Sequence, residues 1–149
     1  MIYPQNFEEK IGFTTVKLHI SKHILCDLGK QYLEDMCFTD DLVTLRTLLS
    51  ETNEMANLLR NGLSFPQQDY LDPTSELIRI KTPGTAIEPE SLSVLRVSLN
   101  TILEIKRFLE NQEPEKVTHL LTVASKVLVE DEILIEIDRI IDPKGLIKS

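Results

Sequence analysis

The sequence has little of what several classes of protein require. Among 149 residues there is no tryptophan, and the aromatics are limited to three tyrosines and five phenylalanines, so a surface on which nucleobases stack is not expected. The two cysteines, Cys26 and Cys37, do not form a CxxC pair. No export signal and no apolar run near the roughly 18 residues of a membrane helix is visible. We therefore expect a cytoplasmic protein with reduced thiols and no membrane association.

Positive charge is also scarce, because 16 lysines and arginines stand against 24 acidic residues and give a net charge of −8. Phosphate backbones attract clustered lysine and arginine side chains and are repelled by a negative surface. This chain alone is therefore expected to bind duplex DNA weakly or not at all. The basic residues that could form a small patch are Arg79, Lys81, Arg96, Lys106 and Arg107. They are scattered among more numerous acids, which favours an ordinary charged surface.

Catalytic and nucleotide-binding motifs are missing as well. The P-loop pattern GxxxxGK[ST] requires Ser or Thr after Gly-Lys, whereas Gly29-Lys30 is followed by Gln31. The patterns GxSxG and HExxH do not occur. We predict no catalytic, cofactor-binding or metal-binding residues in this chain, which is then not an enzyme, and the pattern identifies no DNA-contacting residue.

Two groups of polar residues leave a metal-site alternative open. His19, His23 and Cys26 follow an i, i+4, i+7 spacing that would place them on one helix face, a geometry that permits a partial zinc site. Only Asp27 or Cys37 could add a further ligand, and neither lies at a typical spacing. A packing or surface face is therefore the favoured interpretation.

The second group is a run of acidic residues near the end of the sequence. Its members are Glu130, Asp131, Glu132, Glu136, Asp138 and Asp142. Paired carboxylates can hold Mg²⁺ or act as acid and base. However, Arg139 follows Glu136 at ion-pair spacing, which favours a solvated helix face.

What the sequence does contain is apolar and helix-forming. There are 23 leucines and 15 isoleucines but only five glycines, a composition that favours helices over strands. We predict an all-α bundle of long and short helices in a single segment, residues 1–149. At most, a two-stranded element could form near residues 77–87, where apolar and charged residues alternate before the turn Pro83-Gly84.

Two long helices carry a coiled-coil-like spacing of apolar residues. The first is predicted to begin after Thr39 and to end at Asn61-Gly62, and the second to begin at Glu88-Pro89. The seam positions are 42, 45, 49, 52, 56 and 59 in the first helix, apolar except for Thr52, and 92, 95, 99, 102, 105 and 109 in the second. Such seams require partners, either within this chain or in the remainder of a longer protein. On this basis Leu49→Asp should be severely destabilising.

Shorter helices are predicted before and after these two. Asn6 with Glu9 resembles a capping box, Gly12 interrupts the first helical piece, and Asp27 with Gly29 indicates a break before Lys30. A four-residue spacing makes an apolar stripe of Val16, Ile20, Ile24 and Leu28.

Further helix signals lie in the second half of the sequence. Asp72-Pro73 is typical of a helix start, and a helix is expected over residues 117–128. Residues 132–141 are predicted as a helix that could also be a strand, and Asp142-Pro143-Lys144-Gly145 ends it.

The order of several short phrases resembles one known family. The phrases are FEEKIGF (7–13), LGK (28–30), FTDD (38–41), ETNE (51–54), LIRIKTPG (77–84) and IDRIIDPKG (137–145). Together they resemble the opening of the MutS family, in the branch that lacks the mismatch-recognition and connector domains. The resemblance spans nearly the whole chain.

The resemblance implies that this chain is an N-terminal piece of the MutS core and lever region, which transmits ATP-driven movement to a DNA-gripping clamp. ATP and Mg²⁺, DNA and a homodimer partner would then belong to the parent protein, and the remainder of the parent chain would be a partner of this segment. Parents of this branch are associated with DNA binding, suppression of recombination and handling of stalled ribosomes. The alternative is a stand-alone helical module that binds another protein.

Overall fold

The computed structural model describes residues 6–66 and 70–148, which fall into two compact units, Met1–Asp41 and Leu42–Ser149. The described residues form helices and no strand, apart from one isolated antiparallel bridge between Ile141 and Ile147. The predicted all-α fold is therefore confirmed.

The first unit contains helices α1 (Phe7–Lys10), α2 (Phe13–Ser21) and α3 (Asp27–Asp35). Gly12 separates α1 from α2, as predicted, and its φ of 79° lies in the left-handed region that favours glycine. Asn6 precedes α1, but its side chain makes no capping hydrogen bond, so the predicted capping box is wrong.

The break between the second and third helices lies earlier than predicted. Helix α2 ends at Ser21 and α3 begins at Asp27, so Gly29 lies inside α3 rather than at a break. The predicted apolar stripe is largely exposed at Val16, Ile20 and Leu28, and Leu33 is the buried hydrophobic residue of this unit. The four-residue spacing was therefore a weak indicator of burial here: a break separates Leu28 from α2, and Val16 and Ile20 are exposed although they share that helix.

The second unit contains the longer helices. They are α4 (Leu42–Arg60), α5 (Thr74–Arg79), α6 (Pro89–Glu110), α7 (Thr118–Ser125) and α8 (Asp131–Ile140), with a 3₁₀ turn (Pro114–Lys116) before α7. Helix α4 begins at Leu42, and Thr39 does not cap it. Instead, Thr39 Oγ1 accepts a hydrogen bond of 3.2 Å from the backbone N–H of Asp41.

The region that could have formed a small hairpin contains helix α5. Asp72 Oδ1 accepts a hydrogen bond of 2.9 Å from the Thr74 N–H at the helix start, and Glu76 pairs with Arg79 one turn further on. Both contacts stabilise a helical turn. Residues 131–140 are likewise helical, so neither segment with strand-like alternation becomes a strand.

Two apolar clusters form the core of the second unit. One is built from Leu58, Leu109, Val117 and Ala124, and the other from Leu92, Ile137 and Ile141. Helix α6 contributes to both clusters, packing against α7 near its end and against α8 nearer its start. It is therefore the central helix of this unit.

The seam of α4 lies on the outside. Leu42, Leu49 and Leu59 are exposed, Leu49 by 61%, whereas Leu58 is the buried residue of this helix. Nine residues separate Leu49 from Leu58, which is about half a turn around the helix at 3.6 residues per turn. The expectation that Leu49→Asp would bury an unpaired carboxylate is therefore wrong, since α4 contacts α7 through its opposite side.

Candidate functional site

The candidate zinc ligands do not share a helix. His19 lies in α2, which ends at Ser21, whereas His23 and Cys26 belong to the connection before α3. The predicted i, i+4, i+7 face therefore does not form. In residues 6–66 and 70–148, no group of three or more His, Cys, Asp or Glu side chains is arranged to hold a metal ion.

The acidic run is divided among separate contacts. Glu136 pairs with Arg139 on the same helix at 3.1 Å, as the spacing predicted. Asp138 Oδ1 lies 3.4 Å from Arg96 Nη1. Asp142 Oδ1 accepts hydrogen bonds from two backbone N–H groups in the turn after α8. These carboxylates have individual structural partners rather than a common ligand.

The bases are also engaged individually. Arg79 donates to Glu76 and to the carbonyl oxygen of Ala86. Lys106 Nζ lies 3.5 Å from the carbonyl oxygen of Val127. Arg96 binds a different segment, described next, so these three of the five basic side chains serve separate contacts.

Arg96 holds the turn that follows α8. Its side chain is only 15% exposed and donates to the carbonyl oxygens of Asp142 and Pro143, at 2.9 and 3.2 Å. Gly145, with a φ of 81°, brings the turn against Ser93 of α6. The helix end predicted at residues 142–145 is therefore confirmed, and the tertiary structure adds that these residues form a turn bound to the central helix.

The most highly organised polar site joins α4 to the start of α7. Glu54 Oε1 lies 2.7 Å from His119 Nδ1 and accepts a hydrogen bond of 3.1 Å from the His119 backbone N–H. Glu54 Oε2 accepts a hydrogen bond of 2.9 Å from the Leu120 N–H. The carboxylate thus caps two of the first backbone N–H groups of α7, which lack partners within that helix. We call this arrangement the Glu54 joint.

Opposing effects act on the pKa of Glu54. Its side chain is only 12% exposed, and this burial raises the pKa by penalising the charged form. The hydrogen bonds from the Leu120 N–H, the His119 ring and the His119 N–H stabilise that charged form and outweigh the burial, so the pKa lies below its ordinary value. The joint therefore holds an ionised carboxylate.

A groove of about 620 Å³ lies beside the Glu54 joint, between α4 and the segment that leads into α7. One wall carries Ser50, Asn53 and Asn57 of α4 and Asn61 directly after that helix. The opposite wall carries Gln112, Glu113, Glu115 and Lys116. We call it the amide groove, after the carboxamide side chains on both walls. Its lining can form hydrogen bonds, and none of the described residues around it belongs to a group that could hold a metal ion.

Sequence reasoning did not identify Glu54 and His119 as a pair. They are 65 residues apart, and no local spacing relates them. A weak signal existed, because Glu54 is a carboxylate in the middle of a leucine-rich helix and His119 stands at the second position of another. Neither observation alone indicates a contact.

Comparison of the chain with models of protein families, with curated proteins and with solved structures gave no match. Within the described ranges, no helix combines the length and the apolar character needed to cross a membrane.

Proposed function

We propose that this chain is a non-catalytic helical core segment of a MutS-like, ATP-dependent DNA-binding protein that acts in DNA repair and recombination control. In the parent it couples an ATPase to a DNA clamp. ATP, Mg²⁺ and the grip on DNA belong to the remainder of the parent, which is a cytoplasmic homodimer. The phrases of the sequence support this proposal, and the helical fold is compatible with it.

The order of the sequence phrases carries the proposal, and the exposed apolar seam of α4 is compatible with it. Three members of this seam, Leu42, Leu45 and Leu49, are exposed although their spacing is that of a packing helix. An apolar stripe of this kind normally faces another element. In the proposed role it packs against the remainder of the parent.

The lengths of α4 and α6 are compatible with transmitting a displacement from one end of the second unit to the other. At 1.5 Å per residue, the 19 residues of α4 and the 22 residues of α6 give rods of about 28 and 33 Å. Helix α7 contacts both rods, and the Glu54 joint fixes its start to α4. A displacement at one end of α4 would thus reach α7 and α6 through bonded and packed contacts.

The second candidate function is a stand-alone helical module that binds another protein, and the same exposed seam favours it. The coding sequence downstream of residue 149 discriminates between the two. A P-loop motif in the same reading frame would support the MutS-like segment, whereas its absence would support the stand-alone module.

A test on the protein uses Leu49→Asp in two contexts. In the isolated chain we expect the substitution to leave the melting temperature nearly unchanged, because the side chain is exposed. In the full-length parent we expect it to abolish ATP-dependent changes in DNA affinity while leaving the ATPase motifs intact. Unchanged coupling in the parent would contradict the proposal.

The isolated chain should also bind duplex and branched DNA weakly at about 150 mM salt, with affinities no better than about 10⁻⁴–10⁻⁶ M, the range of non-specific binding. The physical reason is its charge of −8. Sub-micromolar affinity that increases as salt is lowered would place the DNA-contacting surface within residues 1–149 and would contradict the assignment of DNA binding to the clamp.

A further inference from the structure

Three asparagines form a row along one wall of the amide groove. Asn53, Asn57 and Asn61 follow one another at intervals of four residues, and all three are exposed. Asn61 continues the helical path, since its N–H donates to the Asn57 carbonyl oxygen at 3.1 Å. Among the residues that the structure describes, none hydrogen-bonds to these three side-chain amides. The row therefore offers free donors and acceptors on the groove side of α4.

The chemistry of the row matches that of a peptide backbone. A carboxamide has two N–H donors and a carbonyl acceptor, so it can pair with either group of a peptide bond. Four residues of helix rise about 6 Å, whereas two residues of an extended peptide span about 6.6–6.8 Å. Over three asparagines the mismatch accumulates to roughly 1.5 Å, which side-chain rotation can absorb. One row can thus contact every second residue of an extended chain.

The net charge of the amide groove is negative, which favours cationic ligands over anionic ones. It is lined by three carboxylates, Glu54, Glu113 and Glu115, and by one lysine. Lys116 pairs with Glu113 at 2.7 Å, and Glu54 is held in its joint. Glu115 forms no ion pair with a described residue and leaves the groove net negative. Such a surface attracts cationic side chains and repels phosphates.

We propose that the amide groove binds an extended, basic peptide segment of a partner protein. The side chains of the asparagine row pair with alternate backbone amides, and a lysine or arginine of the peptide pairs with Glu115. In this binding mode the hydrogen bonds to the peptide main chain supply affinity, and the ion pair with one cationic side chain supplies specificity, as in other peptide grooves. The proposal does not depend on the MutS-like assignment.

The first experiment measures fluorescence anisotropy of a labelled octapeptide of alternating lysine and threonine, titrated with the full chain at low salt. Saturable binding is expected. The double variant Asn53→Ala/Asn57→Ala should weaken it by at least about fivefold, since each lost hydrogen bond contributes about 0.5–1.5 kcal/mol. Asn100→Ala is the matched control, because Asn100 is an exposed asparagine of α6 outside this groove, and it should change the dissociation constant less than twofold. Thermal melts of all variants check that they fold.

The second experiment tests whether the asparagine row pairs with the N–H groups of alternate peptide residues only. Two versions of the peptide carry N-methyl groups on alternate residues, one version in each frame. Because only every second N–H faces the row, methylation in one frame should weaken binding tenfold or more, and in the other less than threefold. An octapeptide with glutamate in place of lysine, and an eight-nucleotide oligothymidylate, should both bind at least tenfold more weakly than the basic peptide.

Several results would overturn the proposal. One is the absence of saturable binding by the basic peptide, and another is an equal loss of affinity in both methylation frames. A loss in Asn100→Ala as large as in the double variant would place binding elsewhere. Tighter binding of the oligothymidylate than of the peptide would identify a nucleic-acid surface instead.

Discussion

Helices α4 and α6 carry the same spacing of apolar residues, yet they use it differently. In α6 the two ends of the seam are buried, since Leu92 and Leu109 belong to the two core clusters, and Ile102 between them is exposed. In α4 most of the seam is exposed, and the helix contacts α7 through Leu58 and Glu54 on another side. The spacing therefore defines an apolar stripe on each helix, but the number and position of neighbouring helices decide whether it is buried.

The neighbours explain the difference. Helix α6 has α7 against one end and α8 against the other, so both ends of its stripe are covered. Helix α4 has α7 on one side within this unit. That side combines one buried leucine with the Glu54 joint and the asparagine row. The polar side of α4 thus holds the contacts within the chain, and its apolar side remains accessible.

The largest loss of stability should come from truncating a buried leucine of the α6 seam, and the same truncation in the α4 seam should have almost no effect. Leu109→Ala removes a side chain that is 5% exposed and should lower the free energy of unfolding by about 2–5 kcal/mol. Leu49→Ala should change it by no more than about 0.5 kcal/mol, because that side chain is mostly in solvent. Urea denaturation followed by circular dichroism measures both. Equal losses would show that the α4 seam is buried in solution.

A smaller effect is expected at the glycines that follow α8 and α4. An alanine at position 145 would adopt a φ of 81° and place its Cβ 2.9 Å from Ser93 Oγ, whereas an alanine at position 62, with a φ of 71°, would meet no atom within 4 Å. We expect Gly145→Ala to destabilise by about 2–3 kcal/mol and Gly62→Ala by about 1 kcal/mol, since both are strained but only one also clashes. Thermal melts compare the pair. If Gly62→Ala were the more destabilising, the docking of the turn on α6 would be contradicted.

The Glu54 joint should contribute less. Glu54→Gln keeps the shape of the side chain but removes the charge that accepts three hydrogen bonds, so we expect a loss of about 1–2 kcal/mol. Glu104→Gln is the control, because Glu104 is exposed on α6. Chemical denaturation at pH 7 gives the difference. No loss relative to this control would mean that Glu54 does not cap α7.

The smallest effect is a dependence of the joint on pH. The folded pKa of Glu54 lies below its ordinary value of 4.5, so its contribution to stability is fully present above that ordinary value. The contribution is lost as the pH falls through the lowered folded pKa. Protonated Glu54 resembles glutamine, so the gap in stability between wild type and Glu54→Gln should close as the pH falls from neutral through the lowered folded pKa. A gap that stays constant over this range would contradict a lowered pKa.

Much of the fold could be predicted from local chemistry. Pro89 at the first position of α6, Gly62 after α4 and Gly12 before α2 mark helix ends where the sequence placed them. The predictions failed where a local signal had a competitor. Thr39 accepts a hydrogen bond from the Asp41 N–H, which precedes α4, rather than from α4 itself. Gly29 lies inside α3 because that helix begins at Asp27.

The candidate site was less predictable. Glu54 and His119 meet only because α7 packs on α4, and the groove beside them exists only between those two elements. The asparagines at 53, 57 and 61 are visible in the sequence, but their spacing alone does not distinguish a groove wall from an exposed helix face.

The amino-acid sequence by itself thus determines that the chain is helical, several of its helix ends and the end of α8 at residues 142–145. It does so because helix propensity and capping act over about four residues. Only the tertiary structure decides that the ends of the α6 seam are buried while most of the α4 seam is exposed, that Glu54 caps α7, and that Arg96 binds the turn after α8. The reason is physical: burial and long-range hydrogen bonds depend on which helices become neighbours, and residues 40 to 65 positions apart carry no local signal of that choice.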